Sequence, residues 1–151
     1  MRDSIVGRKM EKAELEKIFN SAKAEFLAVC GRRRVGKTFL IKEYFEKELV
    51  FSVSGLAKAN TQKQIKNFYS TLKLYDSSLT EKPNDWLDAF NLLIKYLTSL
   101  SQERKVILLD ELPWMDTPKS GFISALEHFW NGWASSRRDI VLIVCGSATS
   151  W

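Results

Sequence analysis

Only two cysteines, three prolines, seven glycines and one histidine occur among the 151 residues. Two cysteines cannot build the disulfide framework of a small secreted domain, and a metal centre would need further ligands. Cys30 and Cys145 each end an apolar run just before a glycine, so they read as small buried hydrophobes at strand ends. The scarcity of glycine and proline excludes collagen-like and low-complexity classes. His128 has no second ligand at metal spacing and no serine or cysteine partner, which leaves it as a half-buried helix residue. No apolar run approaches the roughly 18 residues needed to cross a bilayer. Met1-Arg2-Asp3-Ser4 leads into a charged segment, unlike a secretory leader. The expectation is a soluble, cytoplasmic domain with no membrane partner. Excess charge of one sign is small as well. The 23 Lys+Arg against 18 Asp+Glu leave a net +5, compatible with an acidic ligand and equally with a solvated surface.

What the sequence does have is 45% hydrophobic and 12% aromatic residues, too many for a disordered chain. The length suits one domain with one core. Residues 15, 18, 19 and 22 form the apolar face of an N-terminal helix, and Phe26 to Cys30 is a short continuous apolar run. A helix over Lys37 to Glu48 follows, then a strand from Leu49 to Ser54 closed by Gly55. Ile65, Phe68, Tyr69, Leu72 and Tyr75 predict a helix over 61–75, and Asp76 to Asn84 a loop. Asp85 opens a helix with Trp86, Leu87, Phe90, Leu93, Ile94 and Leu97 on one face. Val106 to Leu109 is a third strand, and Pro113 and Pro118 predict a loop after it. Phe122, Leu126, Phe129, Trp130 and Trp133 mark the last helix, and Ile140 to Cys145 the last strand. Strands alternating with helices argue for a mostly parallel sheet, and four continuously apolar strands argue for cover on both faces. Trp86, Trp130 and Trp133 lie on the helical stripes and read as core; Trp114, beside Met115, lies in the proline-containing loop, where it could instead meet a partner.

Between the first strand and its helix stands Gly31-Arg32-Arg33-Arg34-Val35-Gly36-Lys37-Thr38, a G-x-x-x-x-G-K-[ST] pattern in the strand–loop–helix context it requires. Gly31 and Gly36 let the backbone wrap with its N–H groups aimed at a polyphosphate. The following helix directs its positive end at the same anion. Lys37 would reach the β- and γ-phosphates, and the Thr38 hydroxyl would ligate Mg²⁺. Residues 31–38 are therefore the candidate nucleotide-binding element. The side chains of Arg32, Arg33 and Arg34 occupy its variable positions and read as facing solvent or a partner.

The third strand ends in two acids. Asp110 is placed to hold Mg²⁺ opposite Thr38, and Glu111 to polarise a water for in-line attack on the γ-phosphate. A glutamate beside the metal-holding aspartate marks the ATPase branch, in which a further strand separates the phosphate-loop strand from the aspartate strand. No Asn-Lys-x-Asp guanine-reading motif occurs, so ATP/ADP is preferred over GTP. In that branch the last strand lies beside the phosphate-loop strand and carries a polar residue facing the γ-phosphate. Ser147 is the candidate, with Thr149 second.

These residues carry a family likeness. Ile5-Val6-Gly7-Arg8-Lys9-Met10-Glu11, the loop Gly31 to Thr38, Leu108-Leu109-Asp110-Glu111-Leu112-Pro113-Trp114 and Cys145-Gly146-Ser147 together resemble the prokaryotic "archaeal ATPase" family of the AAA+/STAND group. The resemblance implies a three-layer P-loop NTPase core of the ASCE/AAA+ type, with helices on both faces of a mostly parallel sheet. It implies that Val6, Gly7 and Arg8 lie near the adenine. It also implies that residues 1–151 form a partial core, truncated before the last core strand and without the lid, winged-helix and nuclease-like domains of longer members. DNA or a protein partner would be met through those domains. Arg137 and Arg138 are the nearest candidates for an arginine finger, though cations at a helix C-terminus account for them better.

The leading expectation is a Mg²⁺-dependent ATP hydrolase core, driving or gating an attached domain. The alternative is a nucleotide-dependent switch with negligible hydrolysis; a small-molecule kinase would need an acceptor pocket and lid arginines that the sequence does not display. Without its last strand the core would leave Phe26 to Cys30 as an unpaired apolar edge, inviting self-association.

Overall fold

The computed structural model describes residues 9–31 and 37–147. Helix α1 (Lys9–Phe19) precedes strand β1 (Glu25–Gly31), helix α2 (Lys37–Tyr44) and strand β2 (Leu49–Ser54). Helices α3 (Thr61–Tyr75) and α4 (Trp86–Thr98) follow, then β3 (Lys105–Asp110), the one-turn helix α5 (Leu112–Met115), α6 (Phe122–Gly132), a 3₁₀ turn (Ala134–Ser136) and β4 (Ile140–Ser147). All pairings are parallel and the order is β1-β4-β3-β2. This places β4 between the phosphate-loop strand and the strand of Asp110, as the Asp-Glu pair predicts.

Alternation within the apolar strands sorts the core into two layers. Ile107 and Leu109 of β3, with Ile140, Leu142 and Val144 of β4, pack beneath α3, α4 and α6. Val106 and Leu108, with Val141, Ile143 and Cys145, pack on the other face against Leu15 of α1 and Leu40, Ile41 and Tyr44 of α2. The first layer is rich in rings. Phe68, Phe90, Phe122 and Trp86 meet at centroid distances of 4.8–6.1 Å, a spacing at which tilted and edge-on pairs are favourable.

Local signals explain the well-formed helices. Asn60 caps α3 by accepting from the Lys63 N–H at 2.9 Å. Asp85 caps α4 by accepting from the Asp88 N–H at 2.8 Å.

Several expectations are corrected. β1 is not covered on both faces: Phe26 is 41% exposed and Ala28 is exposed as well, while Leu27 and Val29, on the alternate face, pack against the α1–α2 layer. Helix α2 ends at Tyr44, four residues early, since turns over 45–48 deliver the chain directly into β2. Ala22 lies past the end of α1 with φ of 59°, off the helical face. His128 is exposed rather than half-buried, and Leu87 is 44% exposed. The segment after β3 is a helical turn, because Pro113 sits in the first turn, where no N–H is needed. Met115 within it is core.

The sheet's opposite end is tied by a residue that periodicity gave no reason to single out. Arg104, 8% exposed, spends all five N–H donors. Its Nε donates to the Phe19 carbonyl at 2.9 Å. Its two terminal nitrogens reach the carbonyls of Ile18, Lys23 and Arg138 and the Ser21 hydroxyl at 2.6–3.1 Å. It thereby closes the C-terminus of α1, where carbonyls lack helical partners. Burial pulls its pKa below the usual guanidinium value, against the charges of Glu25 and Asp139.

Beside it, Asp139 receives Lys105 at 2.5 Å and a fork from Arg137 at 2.8 and 2.9 Å. Arg137 also lies 4.5 Å from the centre of the Trp133 ring. Both observations make Arg137 a structural cation. Burial alone would raise the Asp139 pKa, but hydrogen bonds from Arg137 and Lys105 outweigh it and hold the carboxyl at about 2. A depressed folded-state pKa gives stability that is complete above the unfolded value near 3.9 and lost as pH falls through about 2. Between pH 5 and 2 the wild-type chain should lose about 1–2 kcal/mol from this group alone. Asp139→Asn should flatten that part of the acid limb in a pH series of thermal midpoints; an unchanged limb would assign the acid sensitivity to other carboxylates.

Candidate functional site

Because the four strands are parallel, their C-terminal ends share one edge of the sheet, and loops leaving that edge form a common rim. Gly31 of β1 registers with Ser147 of β4, and Ser54 of β2 with Asp110 of β3. The apolar runs of β1 and β3 thus set Gly31 and the acidic pair down on the same side. Lys37 opens α2 there, with Thr38 one residue in.

The decisive contact spans 72 residues. Thr38 Oγ1 donates to Asp110 Oδ2 at 2.9 Å, while Asp110 Oδ1 accepts the Glu111 N–H at 2.8 Å. Both carboxylate oxygens are thereby oriented by the chain itself.

Glu111 adopts φ 49°, ψ 41° at the N-cap of α5. A left-handed backbone at a residue with a Cβ costs energy and persists only where the surroundings enforce it. Here its N–H is taken by Asp110, and its carbonyl accepts the Trp114 N–H at 3.1 Å. The geometry turns the chain sharply, so that Asp110 ends the strand while Glu111 is half-exposed on the rim.

Two residues of this site escaped the sequence reading. The Gly55 N–H donates to the Asp110 carbonyl at 2.9 Å, and a Cβ at Gly55 would lie 2.4 Å from the Glu111 carbonyl oxygen. Gln64 of α3, 1% exposed, accepts the Leu56 N–H at 2.9 Å and donates to the carbonyls of Leu56 and Ala59 at 2.6 and 3.2 Å. Gly55 looked like a mere strand terminator; the reason for glycine there is tertiary. Gln64, polar amid an apolar helical stripe, was the available clue.

The structure brings together Thr38, Asp110 and Glu111, and places Gly31, Lys37 and Ser147 on the same edge. Arg32, Arg33, Arg34, Val35 and Gly36 lie outside the described residues, as do Val6, Gly7, Arg8 and Thr149. Trp114 is half-buried on α5. Arg138 is exposed, and its carbonyl serves Arg104.

Residues 21–150 match the family model described as an AAA domain. The chain belongs to the AAA family of P-loop ATPases. This AAA domain is 47% identical over 45 residues to an uncharacterized ATP-binding protein of Methanocaldococcus jannaschii, a match covering 30% of the chain and 76% of that protein. Its fold is similar to that of the ORC2 protein of Aeropyrum pernix, solved in ADPNP and ADP complexes, with a TM-score of 0.61 and 17% identity over 95% of this chain and 42% of that one. A Walker-type ATPase of Pyrococcus abyssi gives a TM-score of 0.61 and 19% identity, covering 97% and 46%. Drosophila ORC bound to DNA gives 0.57 and 19%, covering 93% and 38%. The chain therefore spans less than half the length of these solved structures. They establish the three-layer P-loop NTPase architecture. No described helix is long and apolar enough to cross a membrane.

Proposed function

We propose that this AAA domain binds ATP with Mg²⁺ and hydrolyses it to ADP and phosphate, as the motor or gate of a larger protein. The observation that carries the reading is the Thr38–Asp110 contact, which joins the phosphate loop to the acidic strand end with Glu111 turned onto the same rim.

In this reading the backbone of residues 31–38 cradles the phosphates and Lys37 neutralises the β- and γ-oxygens. Thr38 and Asp110 fit a magnesium ion. One hydroxyl and one carboxylate are hard oxygen donors, and they meet at the last residue of the phosphate-loop pattern. Among the described residues no three His, Cys, Asp or Glu cluster, so the remaining ligands would be waters and phosphate oxygens. When bound, the ion would neutralise charge on the β- and γ-phosphates. Glu111 takes a proton from the attacking water, whose oxygen forms the new bond to phosphorus as the bond to the ADP oxygen breaks. Ser147 orients that water from the end of β4, and Val6, Gly7 and Arg8 lie against the adenine. DNA or a protein partner engages domains beyond this one, a role for which the DNA-bound Drosophila ORC structure is the precedent in fold.

Phosphate release by the full-length protein tests this directly. Lys37→Ala should weaken nucleotide binding about 10–100-fold, the value of one charge-assisted contact, read by titration with a fluorescent ATP analogue. Tight binding without phosphate release in the wild type would make the domain a switch instead. No nucleotide binding at all would remove both readings.

A further inference from the structure

We infer that Gly55, held in place by Gln64, is a positioning residue that fixes the backbone of Glu111. The inference rests on Glu111 being the base. Gly55 leaves β2 and passes so close to the Glu111 turn that even one methyl group cannot be placed there. Its Cβ would meet the Glu111 carbonyl oxygen at 2.4 Å, the Trp114 Cβ at 3.1 Å and the Met115 Cγ at 3.2 Å. The first of these is backbone, part of a turn already fixed at both ends by the Asp110–Glu111 and Glu111–Trp114 hydrogen bonds, so it cannot yield as a side-chain tip would.

This close approach is maintained by a built support. Gln64 grips both backbone groups of Leu56 and the carbonyl of Ala59, so the chain just after Gly55 is fastened to α3. The Thr61 and Thr117 hydroxyls, bonded to each other, join the start of α3 to the segment leaving α5. The Glu111 turn thus sits between β2 and its own helix, with Gly55 as one wall. The left-handed backbone of Glu111 is the state this wall admits. A displacement on the order of 1 Å in a catalytic group can cost about 100-fold in rate, so a wall at this distance governs turnover while leaving the phosphate loop untouched.

The test compares Gly55→Ala and Gln64→Leu with the control Phe129→Leu, which opens space in the aromatic layer beside Phe90 and Trp133. Gly55→Ala should lower kcat about 10–100-fold with KM for ATP and nucleotide affinity within about two-fold of wild type. The Trp114 amide, which donates to the displaced carbonyl, should exchange with solvent about ten-fold faster by NMR. Phe129→Leu should lower the thermal midpoint and leave kcat and Trp114 exchange at wild-type values. Wild-type kcat and wild-type Trp114 exchange in Gly55→Ala overturn the inference. If that variant does not fold, Gln64→Leu must show the same fall in kcat and the same faster exchange, and wild-type values there overturn it equally. Should the wild-type protein release no phosphate, the reading of Glu111 as base fails, and the Trp114 exchange still decides whether Gly55 positions the turn.

Discussion

Glu111→Gln should cut phosphate release about 10²–10⁴-fold, the usual worth of a general base, while nucleotide affinity stays within about two-fold. The amide keeps the volume and hydrogen-bonding reach of the carboxylate but cannot accept the water's proton. Because the Asp110 contacts run through the Glu111 backbone N–H and through Thr38, they survive the substitution. Loss of turnover with retained binding is therefore a signature of lost base chemistry rather than of a collapsed site. Steady-state phosphate release and analogue titration on the same preparations separate the two, and turnover at the wild-type rate would mean that the water is activated elsewhere.

Arg104→Ala should destabilise the domain by about 3–5 kcal/mol, because several hydrogen bonds from one charged group, worth about 1.5–3 kcal/mol each, are lost together. That is a large share of the 5–15 kcal/mol typical of a domain. Four carbonyls and one hydroxyl each lose a donor together, at the junction of α1, the loop before β1, and the entry to β4. Arg104→Lys should recover less than half, since a single ammonium cannot fork among partners on three segments. Urea titration reads both: a lower midpoint with an unchanged slope is expected. A loss under about 1 kcal/mol for the alanine variant would show that water replaces the guanidinium without cost.

Residues whose structure follows from local rules were legible in the sequence. The strand Leu49–Ser54 and the helix Thr61–Tyr75 fall where apolar spacing puts them, and Asp85 caps the helix it was expected to open. Chemistry confined to fixed spacings was legible too, which is why the motifs alone pair Thr38 with Asp110 across 72 residues. What escaped depends on tertiary approach. Gly55 is required by a carbonyl in the turn after β3, and Arg104 is one cation among 23 until the chain ends it serves are assembled. Pro113 is ambiguous for a different reason: proline breaks a helix from within yet suits its first turn, and the sequence does not say where a four-residue helix begins. The exposure of Phe26 and Ala28 was likewise hidden, since an apolar run does not say which of its two faces a helix will cover.

The two layers flanking the sheet are unequal in what they bury. One encloses Trp86 and the phenylalanines at 51, 68, 90, 122 and 129; the other encloses Tyr44 and Phe45, with Phe19 partly covered, among the described residues. The thinner layer is the one that contains α2, which Lys37 opens. Sub-global opening, which follows the depth of apolar burial, is therefore cheapest on the side of α2, where the proposed nucleotide would dock, with β3, β4 and the aromatic half remaining as the rigid platform. A nucleotide bridging α2 and the end of β3 would act as a clasp across the softer seam, so occupancy of the site and cohesion of that half of the molecule become one equilibrium.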